Sequence, residues 1–150
     1  MQTLINKQAV KIGWIGTGVM GKSMAGHLIK NGYSLYIYNR TKAKADSLVE
    51  IGASYVDSPR ELAKQVDYLF LMVGYPKDLE NLFFDKDSGI LQDIKPNSYV
   101  IDHTTSSPGL AERISHELKN SKNVQSLDAP VSGGDIGAKN GTLVTMVGGE

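Results

Sequence analysis

Val10-Lys11-Ile12-Gly13-Trp14-Ile15 is an apolar run that meets Gly16, Gly18 and Gly21 in G-x-G-x-x-G spacing, and a helical pattern begins at once. No other feature constrains the fold as tightly. A strand ending on such a triad can turn sharply at Gly16, bring backbone against a pyrophosphate at Gly18, and pack the following helix closely at Gly21. The helix start then offers free N–H groups and the positive end of its dipole to phosphate. The triad alone can also be a tight turn without a ligand. Its place between a strand and a helix is the context that gives it meaning.

Apolar runs and helical patterns alternate through the rest of the chain. Strands are predicted at 10–15, 35–38, 53–56, 68–73, 98–101, 124–127 and 142–147. A helix over 19–31 places Met20, Met24 and Leu28 on one face beside Ala25 and Ile29, and Gly32 ends it. The next helix has Thr41 as cap, turns Ala45, Leu48 and Val49 inward and stops at Gly52. Ser58-Pro59-Arg60-Glu61 combines a cap, a first-turn proline and a capping-box glutamate. A helix over 77–84 has few markers, and Ser107-Pro108 opens one with Leu110, Ile114 and Leu118 at helical spacing.

This alternation implies an α/β fold, a doubly wound and mostly parallel sheet with helices on both faces. Such sheets bind ligands at the carboxyl ends of their strands. The windows to read are therefore 16–21, 39–41, 72–76, 102–106 and 128–134. With 150 residues the chain suits one domain, assigned to 10–150 behind a short leader over 1–9.

The window after the second strand bears on the ligand. A site for NAD places Asp or Glu there, on the ribose 2′-hydroxyl. Here the residues are Asn39-Arg40-Thr41, with Lys44 one turn on. A guanidinium matches the geometry of a 2′-phosphate, and each charge-assisted hydrogen bond contributes about 1.5–3 kcal/mol. The pattern favours NADP over NAD, with Asn39 and Thr41 as further donors. A surface arginine beside a helix cap is the lesser alternative for Arg40.

Composition narrows the remaining classes. Sixteen basic residues balance 16 acidic ones without a long run of either sign, which argues against nucleic acid or a polybasic membrane contact. Cysteine is absent, so thiolate and disulfide chemistry are excluded. The first nine residues are polar, no apolar stretch approaches a membrane span, and a cytoplasmic location is expected. His27 and His116 lie on predicted helices without a second ligand at metal spacing, so no metal is expected, and both read as solvated or capping groups. His103 follows a strand, and local hydrogen bonding is its expected role.

The motifs together resemble the N-terminal half of the β-hydroxyacid dehydrogenases, a family that includes 3-hydroxyisobutyrate dehydrogenase, tartronate semialdehyde reductase, glyoxylate/succinic semialdehyde reductases and, more distantly, 6-phosphogluconate dehydrogenase. Gly13-Trp14-Ile15-Gly16-Thr17-Gly18-Val19-Met20-Gly21 is similar to the family's G-x-I-G-x-G-x-M-G. Asp128-Ala129-Pro130-Val131-Ser132-Gly133-Gly134, followed by Gly137-Ala138 and Gly141-Thr142-Leu143, is similar to its substrate-binding signature. Asp102-His103-Thr104-Thr105 is similar to its D-x-S-T segment, with Thr104 in place of Ser.

The resemblance implies a Rossmann-type domain that binds NADP through Gly16, Thr17, Gly18, Val19, Met20, Gly21, Asn39, Arg40, Thr41, Lys44, Met72, Val73 and Thr105. It implies that Ser132, Gly133 and Gly134 bind a small-molecule carboxylate substrate. A hydroxyl and two unhindered N–H groups in a glycine-rich turn are suited to an anion. Other roles stay open: Ser-Gly-Gly as a plain flexible loop, Thr105 as a cap for the helix at Pro108, and Met72 and Val73 as core packing. The family's catalytic lysine lies in a segment beyond Glu150, so no catalytic residue is assigned here, and Lys139 reads as a surface lysine. The family's helical C-terminal domain is likewise absent from this chain, and the full-length protein is expected to be a homo-oligomer. The expected activity is hydride transfer between NADP(H) and a small β-hydroxyacid or its semialdehyde. A non-catalytic dinucleotide-binding or assembly module of the same descent is the alternative, and a Rossmann domain for FAD or S-adenosylmethionine a weaker one.

Overall fold

A computed structural model describes residues 6–149. Most of the expected leader lies outside the described residues. Within it, Lys7 Nζ donates to Asn31 O at 2.8 Å and Gln8 Nε2 to Gly32 O at 3.2 Å, tying residues 7 and 8 to the end of the first helix.

The expected doubly wound sheet is present. Strands β1 (Ile12–Ile15), β2 (Leu35–Tyr38), β3 (Ser54–Tyr55), β4 (Tyr68–Leu71), β5 (Tyr99–Asp102) and β6 (Gln125–Asp128) form a six-stranded sheet in the order β3-β2-β1-β4-β5-β6. Every pair in it is parallel. The order reverses at β1, and a crevice opens where neighbouring connections leave in opposite directions.

Helices α1 (Val19–Lys30), α2 (Asp46–Glu50), α3 (Pro59–Gln65), α4 (Pro76–Phe84) and α5 (Pro108–Lys122) follow the strands in turn. Their starts obey local chemistry. Ser58 Oγ accepts the Glu61 N–H at 3.1 Å and Ser107 Oγ accepts the Leu110 N–H at 3.3 Å, each just ahead of a first-turn proline. α1 ends at Asn31, and Gly32 takes φ +88°. Thr41 precedes a 3-10 turn (Lys42–Ala45) rather than an α-helix, and its side chain makes no cap hydrogen bond. Ala45 and Leu48 turn inward as expected, but Val49 is exposed, because the five-residue α2 buries only a narrow stripe.

Side chains alternate between the two faces of the sheet, as the period-2 geometry of strands requires. Ile12, Trp14, Ala25, Leu35, Ile37 and Leu48 form one core. Ile15, Leu62, Leu69, Leu71, Leu79, Phe83, Val100, Ile114 and Leu118 form the other. Burying each large apolar side chain contributes about 1.5–3 kcal/mol. Gly13 lets α3 close on β1: a Cβ there would lie 2.5 Å from Leu62 Cδ2.

The expected strand over 142–147 does not join this sheet. Val131–Ser132 (β7) and Val144–Thr145 (β8) form a separate antiparallel pair around α6 (Gly134–Asn140). Gly133, Gly134 and Gly141 take positive φ and turn the chain back on itself there. The apolar residues that suggested a buried strand, Val144, Met146 and Val147, are exposed. α6 packs on α1, where His27 donates from Nε2 to Ala138 O at 2.7 Å. His27 therefore caps the last turn of a distant helix. His116 is exposed and pairs with Asn120 on its own helix.

Candidate dinucleotide site

Backbone geometry at the end of β1 is set by what sits where glycine side chains are missing. Gly16 has φ +98°, and the Met72 carbonyl oxygen occupies the place its Cβ would take. Gly21 is equally tight, because its Cβ would fall on the Gly16 carbonyl. Gly18 differs: a Cβ there meets nothing within 4 Å. Two of the three glycines thus serve packing, and the third leaves open space beside backbone. Trp14 Nε1 donates to Gly16 O at 2.9 Å and steadies the turn from below.

Gly18 also precedes α1 without a side-chain cap, and the first turn of α1 holds no acidic residue. Its first N–H groups therefore lack an intrahelical partner, and nothing negative competes for them. Thr17 Oγ1 is buried without a partner among the described residues. These are the marks of a loop built around an anion, so the residues fit a dinucleotide phosphate.

A cavity of about 770 Å³ lies over this loop. That volume falls within the range of small-molecule and cofactor sites. Of the residues expected to bind cofactor, Gly16, Gly18, Val19, Met20, Gly21, Asn39, Arg40, Thr41, Lys44, Met72 and Val73 line it. Thr17 does not: it lies beneath the loop, its N–H on Asn39 Oδ1 at 2.9 Å. Asn39 in turn donates to Thr41 O at 2.8 Å, and Tyr55 Oη donates to Asn39 O at 3.0 Å. Asn39 therefore works partly as a brace between the glycine loop and the end of β2. Arg40 is exposed, and its Nη1 lies 3.4 Å from Asp78 Oδ1.

Thr105 is exposed at the end of β5 and lies outside the cavity lining. It does not cap α5, since Ser107 does. Ser132, Gly133 and Gly134 are exposed at the β7–α6 turn and also lie outside that lining. Part of their motif is packing. Leu143 Cδ2 would lie 3.1 Å from a Cβ on either Gly133 or Gly137, so these glycines let Leu143 seat under the turn. Lys139 is exposed.

Sequence reasoning missed the wall opposite the basic rim. Asp78, Asn81, Leu82, Asp85 and Ser88, from α4 and the turn after it, also line the cavity, next to Tyr75 at the start of α4, which falls within the 72–76 window. Pro76 at the first helical position and Asp78 in the first turn were the available signal.

At the end of β5, Asp102, His103 and Thr104 are buried. Burial pushes the Asp102 carboxyl up to about 6, opposed by hydrogen bonds from the Thr104 amide and hydroxyl and reinforced by the nearby Asp128. Burial also holds the His103 imidazole below its usual range, and its neutral ring donates Nδ1–H to Ala129 O at 2.7 Å. The local hydrogen bonding expected of His103 is what it makes. Among the described residues, no helix is long and apolar enough to cross a membrane.

Comparison with known proteins places this geometry. Residues 11–150 match the sequence family described as the NAD binding domain of 6-phosphogluconate dehydrogenase. The chain is 50% identical over 147 residues to a probable 3-hydroxyisobutyrate dehydrogenase-like 1, mitochondrial, of Arabidopsis thaliana, covering 98% of this chain and 44% of that protein. It is 39% identical over 140 residues to an NAD-dependent L-serine dehydrogenase of Pseudomonas aeruginosa, covering 93% of this chain and 46% of that one. A solved structure of Psf3 in complex with NADP+ and 2-OPP superposes with a TM-score of 0.87 at 27% identity, covering 93% of this chain and 49% of that one. The chain thus spans about half the length of the relatives it matches.

Proposed function

The chain belongs to the family of the NAD binding domain of 6-phosphogluconate dehydrogenase, and from that premise we propose that it is the cofactor half of an oxidoreductase acting between NADP(H) and a small β-hydroxyacid or its semialdehyde. One observation carries the reading. One cavity is lined by the open backbone at Gly18 together with Arg40 and Lys44, and no acidic residue follows β2 directly.

In this reading Gly18, Val19 and Met20 offer backbone N–H groups to the pyrophosphate. Arg40 turns its planar fork to the 2′-phosphate, with Thr41 and Lys44 beside it. Met72 and Val73 form the opposite side, and Thr105 meets the ribose of the nicotinamide. When bound, the nicotinamide supplies or accepts the hydride. Ser132, Gly133 and Gly134 hold the substrate carboxylate. In the family pattern the general acid is a lysine in a segment that the present 150 residues do not include.

Calorimetric titration of the chain with NADPH and then NADH tests this. The expected result is NADPH binding at least about tenfold tighter, the size of one charge-assisted hydrogen bond. Equal affinities would leave a dinucleotide domain and remove the 2′-phosphate contact. Binding of neither would overturn the proposal.

A further inference from the structure

We propose that Thr104 is a positioning residue for the dinucleotide cavity: its hydroxyl fixes which way the peptide joining Met72 to Val73 points. This inference rests on the reading of that cavity as a dinucleotide site.

β4 ends at Leu71 and the Met72 N–H still donates to Ile15 O at 2.9 Å, so the peptide from Met72 to Val73 is the first to outrun the sheet. The peptide from Met72 to Val73 is nevertheless held on both sides. Its carbonyl oxygen fills the space left by the missing side chain of Gly16. Its N–H, on the far side, donates to Thr104 Oγ1 at 3.0 Å. Asp102 Oδ1 accepts the Thr104 N–H at 2.9 Å, and the Thr104 side chain helps to hold the buried Asp102 carboxyl down against desolvation. A backbone N–H only donates, so toward Val73 the Thr104 hydroxyl is the acceptor and the polarity of this bond is fixed.

Thr104 itself is 1% exposed and cannot meet a ligand directly. Its influence passes through the peptide it holds. Met72, Val73 and Gly74 line the cavity, and the same carbonyl presses on the first glycine of the phosphate loop. Without the hydroxyl, the Val73 N–H loses its acceptor in a partly buried place, and the peptide must rotate to find another. Rotation moves the carbonyl off Gly16 and changes both walls of the cavity together. Anchoring is mutual, since Asp102 O also accepts the Ala129 N–H at 2.8 Å, so the end of β5 is itself held by the segment after β6.

Two near-isosteric variants separate a hydroxyl role from plain packing. Thr104→Val keeps shape and loses the hydroxyl, whereas Thr104→Ser keeps the hydroxyl and loses a methyl. Thr104→Val is expected to weaken NADPH binding about five- to tenfold and to speed Val73 amide exchange by at least as much. Thr104→Ser is expected to stay within about twofold of the unaltered chain in both, the scale of a minor packing change. The reverse pattern, Val harmless and Ser damaging, overturns the proposal, as does equal damage by both. Should Thr104→Val not fold, exchange in the unaltered chain decides. A Val73 amide slowed about a hundredfold relative to unstructured chain supports the tie, and an unprotected one overturns it. Binding of neither NADPH nor NADH by the unaltered chain overturns the cofactor reading instead, while the exchange data still judge the tie.

Discussion

Arg40 Nη1 and Asp78 Oδ1 stand 3.4 Å apart, joining the end of β2 to the first turn of α4 across the cavity that both residues line. The contact is long and solvent-rich, so it holds Arg40 loosely. It also sets a competitor beside the guanidinium. Any 2′-phosphate that reaches Arg40 must displace Asp78 and meet its charge.

Asp78→Asn should therefore tighten NADPH binding by up to about fivefold, the upper range of an exposed pair, and leave NADH unchanged. Arg40→Asp should reverse the preference between the two cofactors. Parallel titrations of both variants check this. An Asp78→Asn variant that gains equally for NADPH and NADH would refute the competition.

The three motif glycines should separate by experiment. Gly18→Ala should leave thermal stability within about 0.5 kcal/mol of the original, because its methyl would enter open space. The same methyl stands in the cavity and should weaken NADPH binding about tenfold or more. Gly16→Ala and Gly21→Ala should each cost about 1–3 kcal/mol or more in folding, through their collisions with backbone carbonyls. Thermal melts alongside titrations check the contrast.

Asp102 gives a pH prediction whose sign runs against most carboxylates. Its carboxyl is raised to about 6 in the folded chain. Between the ordinary value and about 6, the folded chain holds a proton that the unfolded chain has released. Stability from this group is present at low pH and is lost as pH rises through about 6. The full difference is about 3 kcal/mol. Asp67 and Asp93, held low chiefly by hydrogen bonds from Lys95 and Arg60, act in the opposite sense, as does Asp85 through its bonds from Ser88. Comparing the chain with Asp102→Asn cancels those contributions. Between pH 4 and pH 7, denaturant melts should show the unaltered chain losing about 2 kcal/mol relative to the variant, most of the full difference.

His27→Ala should remove the hydrogen bond that joins α1 to α6 and cost about 1 kcal/mol. The loss should be local. Amide exchange in α6 should quicken, and exchange in the strands of the main sheet should not.

Much of this architecture was legible in the sequence, for identifiable reasons. Ser58 and Ser107 each stand before a proline, and both proved to be caps. Gly16 and Gly21 are required by close backbone contacts, so their spacing was informative. Where sequence failed, the cause was also physical. Val144, Met146 and Val147 have the residue types of a buried strand, but the positive φ angles at Gly133, Gly134 and Gly141 turn their segment onto β7 instead. Val49 follows the helical period, yet a helix as short as α2 lacks a wide buried face. The α4 wall of the cavity was missed because Asp78 and Asn81 look like ordinary surface residues of an amphipathic helix. Their place on the ligand side depends on the crevice between β1 and β4, which is a property of strand order and not of any local pattern.

Trp14 is the chain's single tryptophan, it is 2% exposed, and its ring stacks on Phe70 at 5.6 Å. Its indole N–H ends on the carbonyl of Gly16. The molecule is therefore optically self-reporting at the one loop where it matters. Its emission should be that of a water-shielded indole, with no second chromophore of its kind to average against. Any ligand that draws on the Gly16 peptide will perturb that hydrogen bond and shift the spectrum, so occupancy can be followed by light alone, without a label and without turnover.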